Sequence, residues 1–153
     1  MKKEHQAPWE CTYVKEEESR CRPGAKPKSN KEYFEIMCLC VLQAGLGWGM
    51  VRKNWDQYKR GFYGFSINRL AAAKVESLLE SPGVLRNKRK VSAIVYNAKE
   101  FKRIMGVYGS FSVFLDSLRQ YTEEDVLAQL TSRFHHLGNY SAEYFLHCVG
   151  YWE

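Results

Sequence analysis

Residues 29–48, SNKEYFEIMCLCVLQAGLGW, limit the folds open to this chain more than any other stretch. Ser29 and Glu32 stand at the S-x-x-E spacing of a capping box, which satisfies orphan N–H groups at a helix start. Tyr33, Phe34, Met37, Val41 and Ala44 then recur at helical spacing. At about 100° per residue they fall on one broad apolar face. Cys38, Leu39, Cys40 and Leu42 fill much of the remaining circumference. A helix that is apolar nearly all round is a buried one, so the rest of the chain has to wrap it. Gly45, Gly47 and Gly49 then loosen the backbone around Trp48, delivering one large flat side chain to one place.

What wraps this helix is expected to be helical too. Val51–Arg60 carries Val51, Trp55 and Tyr58 at helical spacing and ends at Gly61 and Gly64. Ser66 is placed to cap a short helix through Ala71, and a second runs over Lys74–Glu80. Ser81-Pro82-Gly83 is a turn. A long helix follows from Asn87 to Met105, with Val91, Ile94, Val95, Ala98, Phe101 and Ile104 on its apolar face and Gly106 and Gly109 closing it. Ser110 opens a helix to Leu118, and Thr122 with Asp125 makes another capping box for a helix to Arg133. Gly138 marks a tight turn before a last helix, Asn139–Val149. No segment alternates with period two over strand length, so the fold class is all-α, a single domain of about eight helices. Residues 1–28, broken by Pro8, Pro23, Gly24 and Pro27, read as an irregular N-terminal arm with one short helix near Tyr13–Arg20. Residues 29–153 form the helical domain.

No apolar run reaches the roughly 18 residues of a membrane span, and MKKEHQAPWE lacks the apolar stretch of a signal peptide. A cytoplasmic monomer is expected. The five cysteines, at 11, 21, 38, 40 and 148, make no C-x-x-C, a poor zinc or redox spacing. Cys38, Cys40 and Cys148 lie in apolar helical stretches as buried thiols, and a cytosolic setting argues against a Cys11–Cys21 bridge.

Net charge is +6, which suits a polyanionic partner. Arg86, Lys88, Arg89 and Lys90 sit at a helix N-terminus, where cations oppose the dipole, and Lys99, Lys102 and Arg103 follow on the same helix. That mismatch favours an anionic partner; the bland reading is a solvated face. Phe134-His135-His136-Leu137-Gly138-Asn139-Tyr140-Ser141 has the layout of helix, turn and helix, in which backbone N–H groups face one phosphate. An ordinary antiparallel helix pair is the alternative. Residues 121–153 hold five acids and one base, Arg133, so backbone donors have to carry such a contact.

The pattern F-E-x-x-C-L-x-x-x-Q-A-G-L-x-W, read at Phe34, Glu35, Cys38, Leu39, Gln43, Ala44, Gly45, Leu46 and Trp48, resembles the 3-methyladenine DNA glycosylase I (Tag) family of the helix-hairpin-helix superfamily. The likeness continues through Gly83–Phe101 and Phe134–Gly150, in register over residues 31–150. It implies a base-excision repair enzyme that binds double-stranded DNA, flips out an alkylated, 3-methyladenine-like purine and hydrolyses its N-glycosidic bond. On that register Gly138, Asn139 and Tyr140 contact phosphate, and Arg86, Lys88, Arg89 and Lys90 frame the DNA-facing side. Trp48, Gln43 and Cys40 fall at the base. The Trp48 face would attract a cationic alkylated purine by about 0.5–2 kcal/mol, although core packing is the usual fate of a tryptophan.

The chain also departs from the family. The glutamate that contacts the alkylated adenine is replaced by Cys40, which is no charged acceptor, and Glu35 lies five residues earlier on another helix face. The family's Tyr-His-Asp-Glu-Trp-Gly segment has no match in residues 11–28. Cys11 alone matches a zinc ligand, and the chain ends at Glu153 before the family's C-terminal His and Cys ligands. No structural zinc and no cofactor are therefore expected, and no catalytic residue is assigned. Three readings stand: a divergent glycosylase, a catalytically inactive helix-hairpin-helix DNA-binding module, and a fragment whose missing tail completes the site.

Overall fold

A computed structural model of the protein describes residues 3–4, 21–22 and 24–151. Among them are nine α-helices, two short 3₁₀ turns and one minimal strand pair. The first helix, α1, spans Asn30–Gln43. The Ser29 hydroxyl accepts from the Glu32 N–H, and the Glu32 carboxylate accepts from the Lys28 N–H rather than from Ser29 itself. The capping box thus forms with its return bond one residue early. Residues Tyr33, Phe34 and the run Met37–Gln43 are buried, and Val41 and Leu42 are fully enclosed.

The expected helix Val51–Arg60 is two helices, α2 (Trp48–Lys53) and α3 (Trp55–Gly61). Asn54 separates them. Its amide Nδ2 donates to the Met50 carbonyl at 3.0 Å, so the side chain competes with the backbone for an acceptor and ends the first helix. This split accounts for nine helices where eight were expected. Two short helices follow, α4 (Ile67–Ala71) and α5 (Val75–Glu80), with the Ser66 hydroxyl capping α4 by accepting from the Arg69 N–H. Gly83 turns the chain at φ 85°, and a Cβ there would stand 2.9 Å from the Gln57 carbonyl oxygen, so only glycine fits.

The long helix α6 spans Lys88–Tyr108 and packs on α1, α4, α5 and α7 (Phe111–Ser117). Its predicted apolar face is buried throughout. It also runs past Met105 and through Gly106; Gly109 alone closes it. Tyr108 meets Phe114 edge-on at 5.2 Å, and that tertiary contact holds the last turn in helix. Helices α8 (Glu123–Arg133) and α9 (Asn139–Cys148) complete the fold, and α9 packs on both α1 and α8. Phe34, Phe101, Phe111, Phe134 and Phe145 join α1, α6, α7 and α9 into one aromatic centre, with Phe101 and Phe111 only 4.2 Å apart.

The stretch expected to be an irregular arm contains a parallel pairing of Lys3–Glu4 with Cys21–Arg22. Two-residue strands are too short to carry a period-two pattern and leave no signal in the sequence. The Gly24 N–H donates to the His147 carbonyl at 3.0 Å, tying the end of this stretch to α9. Cys11 and the short helix expected near Tyr13–Arg20 lie outside the described residues. No helix among the described residues is long and apolar enough to cross a membrane.

Candidate functional site

The turn between α8 and α9 is anchored from two sides. Phe134 and Leu137 are buried and drive it into the core. Asn97 of α6, itself buried, grips its backbone: Nδ2 donates to the His135 carbonyl at 3.2 Å, and Oδ1 accepts from the His135 N–H at 2.8 Å. The His135 ring then lies flat on Tyr96, centroids 3.5 Å apart. Glu100, one helical turn beyond Tyr96, bridges Arg103 at 2.7 Å and Arg133 at 3.3 Å, linking α6 to α8.

With the turn so held, His136 adopts φ 58°, in the left-handed region. Such a conformation costs a non-glycine residue of order 1–3 kcal/mol and persists only where the surroundings impose it. Next along, Gly138 begins α9 with no side chain to cap its first turn, unlike Thr122 at α8 or Ser110 at α7. Gly138, Asn139 and Tyr140 are exposed at this helix start.

The turn and the end of α1 enclose a groove of about 490 Å³ lined by Ala44, Thr131, His135, His136, Gly138 and Ser141. Arg89 and Lys90 act on His136 from α6; burial first, and then these two cations, hold the imidazole below its ordinary pKa. The groove therefore joins the N-terminus of α9, two histidines and a cationic neighbour. That is the chemistry of an anion site.

The expected basic run divides. Arg86, Lys88 and Arg89 are exposed. Lys90 is not: its ammonium is buried and donates to the Leu42 carbonyl at 2.8 Å and to the Ala44 carbonyl. It caps the C-terminus of α1, where a cation meets the negative end of the helix dipole and the last unpaired carbonyls. Burial lowers its pKa. Lys90 is thus removed from the outward-facing set and becomes the strut between α1 and α6.

The three residues expected at the base sit inward. Cys40 has no exposed surface, Gln43 is 9% exposed and Trp48 is 7% exposed. The Trp48 ring rests on Tyr144 of α9 at 5.4 Å, tilted by 30°. Gly47, at φ 83°, makes the turn that starts α2 at this tryptophan. Trp48 is thus packed against Tyr144 at the edge of the core, and Cys40 is a buried thiol.

Sequence reasoning passed over Asn97 and His136. For Asn97 a signal existed. Lys90, Ile94, Asn97 and Phe101 share one stripe of α6 at i, i+4, i+7 and i+11, so two polar residues lie on a buried face and must be bonded there. His136 lay inside the helix-turn-helix stretch singled out at Phe134–Ser141, but its own placement was not legible, because the turn is clamped by Asn97 from another helix.

Comparison with known proteins bears on this arrangement. The family model described as Methyladenine glycosylase matches residues 22–141. The chain is 35% identical over 81 residues to DNA-3-methyladenine glycosylase 1 of Escherichia coli (strain K12), covering 51% of this chain and 43% of that protein. It is 32% identical over 94 residues to the DNA-3-methyladenine glycosylase of Haemophilus influenzae (strain ATCC 51907 / DSM 11121 / KW20 / Rd), covering 59% and 51%. The matched stretches span about half the length of these curated relatives. The solved structure of 3-methyladenine DNA glycosylase I (TAG) from Staphylococcus aureus superposes with a TM-score of 0.72 at 23% identity, over 84% of this chain and 80% of that one. At that identity the likeness carries the fold, which is all-α.

Proposed function

This chain belongs to the methyladenine glycosylase family, and from that premise we propose that it is a DNA N-glycosylase of base-excision repair. It binds double-stranded DNA at the α8–α9 hairpin and releases an alkylated, 3-methyladenine-like purine. The observation that carries this reading is the groove where the hairpin meets the end of α1, with exposed Arg89 beside it. Phosphate is held by the backbone at Gly138, Asn139 and Tyr140. Arg86, Lys88 and Arg89 supply the long-range attraction. Alkylation turns the base into a better leaving group, so positioning and electrostatic support suffice with little acid–base help.

The names of the relatives support the lesion class: the two curated proteins are called DNA-3-methyladenine glycosylases, and the Staphylococcus aureus work concerns 3-methyladenine recognition. Trp48, Gln43 and Cys40 mark the base side of the site at the end of α1. In the same reading the protein is a cytoplasmic monomer, with residues 29–153 as the working domain and residues 1–28 as an arm, and it needs no cofactor.

A second reading is favoured by one observation. Trp48, Cys40 and Gln43 are all at most 9% exposed, and no carboxylate stands at Cys40. A DNA-binding module without catalysis fits that arrangement. One experiment separates the two: purified protein is incubated with a methylated duplex, released bases are resolved by chromatography, and abasic strands are counted after alkaline cleavage. Equal yields of free alkylated purine and abasic sites support the glycosylase. Binding without either product supports the module, and absence of binding overturns both.

A further inference from the structure

We propose that His136 is a proton-linked phosphate contact: the protein takes up one proton at this ring when the DNA backbone enters the groove, so DNA affinity rises as pH falls. The inference rests on the DNA-binding reading above and concerns the regulation of that same site.

The geometry carries it. His136 sits in the left-handed region in a turn that Asn97 clamps by two hydrogen bonds to the His135 backbone, which holds its main chain beside the groove. It lines the groove together with Gly138, which opens α9 without a capping side chain. Its imidazole makes no hydrogen bond or ion pair among the described residues, whereas the neighbouring His135 ring is spent on Tyr96. The groups facing it are few. From α6 come Arg89 and Lys90; from its own turn comes His135; α8 and α9 present Thr131 and Ser141, and α1 presents Ala44. No carboxylate is among them.

Without a phosphate, desolvation of the ring against the groove wall, and after it Lys90 and Arg89, favour the neutral form of this otherwise exposed residue. A phosphodiester arriving against it reverses the local field. It offsets Arg89 and Lys90 and offers an oxygen that accepts from a protonated ring nitrogen. The protonated form is favoured in the complex and disfavoured without it, so binding and proton uptake are linked. The sign follows: affinity increases on acidification through the interval between the pKa of the empty and the occupied site, and is flat outside it.

The test uses fluorescence anisotropy of the purified full chain with a labelled duplex carrying a stable abasic analogue. It is run from about pH 5.5 to about pH 8.5 at constant ionic strength, a range that brackets histidine titration. The wild type should tighten several-fold per pH unit on acidification, with about tenfold as the ceiling for one proton. His136→Asn, whose side chain tolerates the left-handed region, should bind with no such slope. His136→Lys, with a fixed charge, should bind tightly and equally flatly. In the complex, the His136 ring resonance should report the protonated form at a pH where the unbound protein reports the neutral one. This readout holds even if a variant fails to fold. A wild-type slope retained in His136→Asn, or a neutral His136 in the complex, overturns the proposal. Binding with no pH slope overturns this inference alone; no binding at any pH overturns the DNA-binding reading with it.

Discussion

Truncating Asn97 to alanine tests whether one buried amide sets the DNA-facing turn. The native side chain makes two hydrogen bonds to the His135 backbone, at 2.8 and 3.2 Å. Neutral hydrogen bonds contribute about 1 kcal/mol each, net of water. Both bonds are only part-buried, so water can replace some of what is lost. The amide removed from an interior site leaves a small void that adds a fraction of a kcal/mol. Asn97→Ala should therefore cost about 2–3 kcal/mol, read as a lower urea midpoint at unchanged slope. Under conditions where the variant is still folded, its affinity for duplex DNA should also fall, because the groups of the turn are no longer held in register. Asn97→Asp keeps the acceptor for the His135 N–H but sets an anionic oxygen against the His135 carbonyl. Its stability should recover as acid protonates the carboxyl and restores a donor. A loss below about 1 kcal/mol for Asn97→Ala would refute the clamp. The full loss with unchanged DNA affinity would refute the claim that this turn touches DNA.

Arg89 and Lys90 are adjacent yet should behave oppositely. Arg89→Gln should reduce the slope of log affinity against log salt by about 0.9 with little effect on folding. Lys90→Met should leave that slope unchanged and destabilise the protein by about 2–4 kcal/mol, because two carbonyls at the end of α1 lose their donor; equal salt slopes in the two variants would contradict the division. Two glycines make a second pair, read by thermal melting. Gly106→Ala should stabilise by about 0.5–1 kcal/mol, since a Cβ there meets nothing within 4 Å inside α6. Gly83→Ala should cost about 2–4 kcal/mol from its positive φ and the clash with Gln57. Trp48→Ala should cost about 3–5 kcal/mol as a core truncation. A loss of base release without any loss of stability would instead support Trp48 as a stacking wall.

Local signals made most of the helices legible. Ser29, Ser66, Asn87, Ser110 and Thr122 each cap a helix with their own side chain, and capping is written within four residues of sequence. The stops were harder. Asn54 ended a helix through its own amide, which hydrophobic spacing does not register, and Gly106 failed to end one because Tyr108 had a partner in Phe114.

The sequence by itself determined that α1 is buried, that the fold is all-α and that a turn at 134–138 joins two helices, because apolar periodicity and caps are local and the family pattern is linear. Only the tertiary structure decided which polar residues are available. Lys90 and Arg89 are neighbours in a basic run, and at 100° per residue they point to different sides of α6. Which of those sides faces α1 is settled by how the two helices cross. Lys90 became a strut and Arg89 remained an exposed cation for the same reason that Asn97 became a clamp. Each side chain's role was fixed by a backbone group at least 38 residues away in sequence, or by the absence of one.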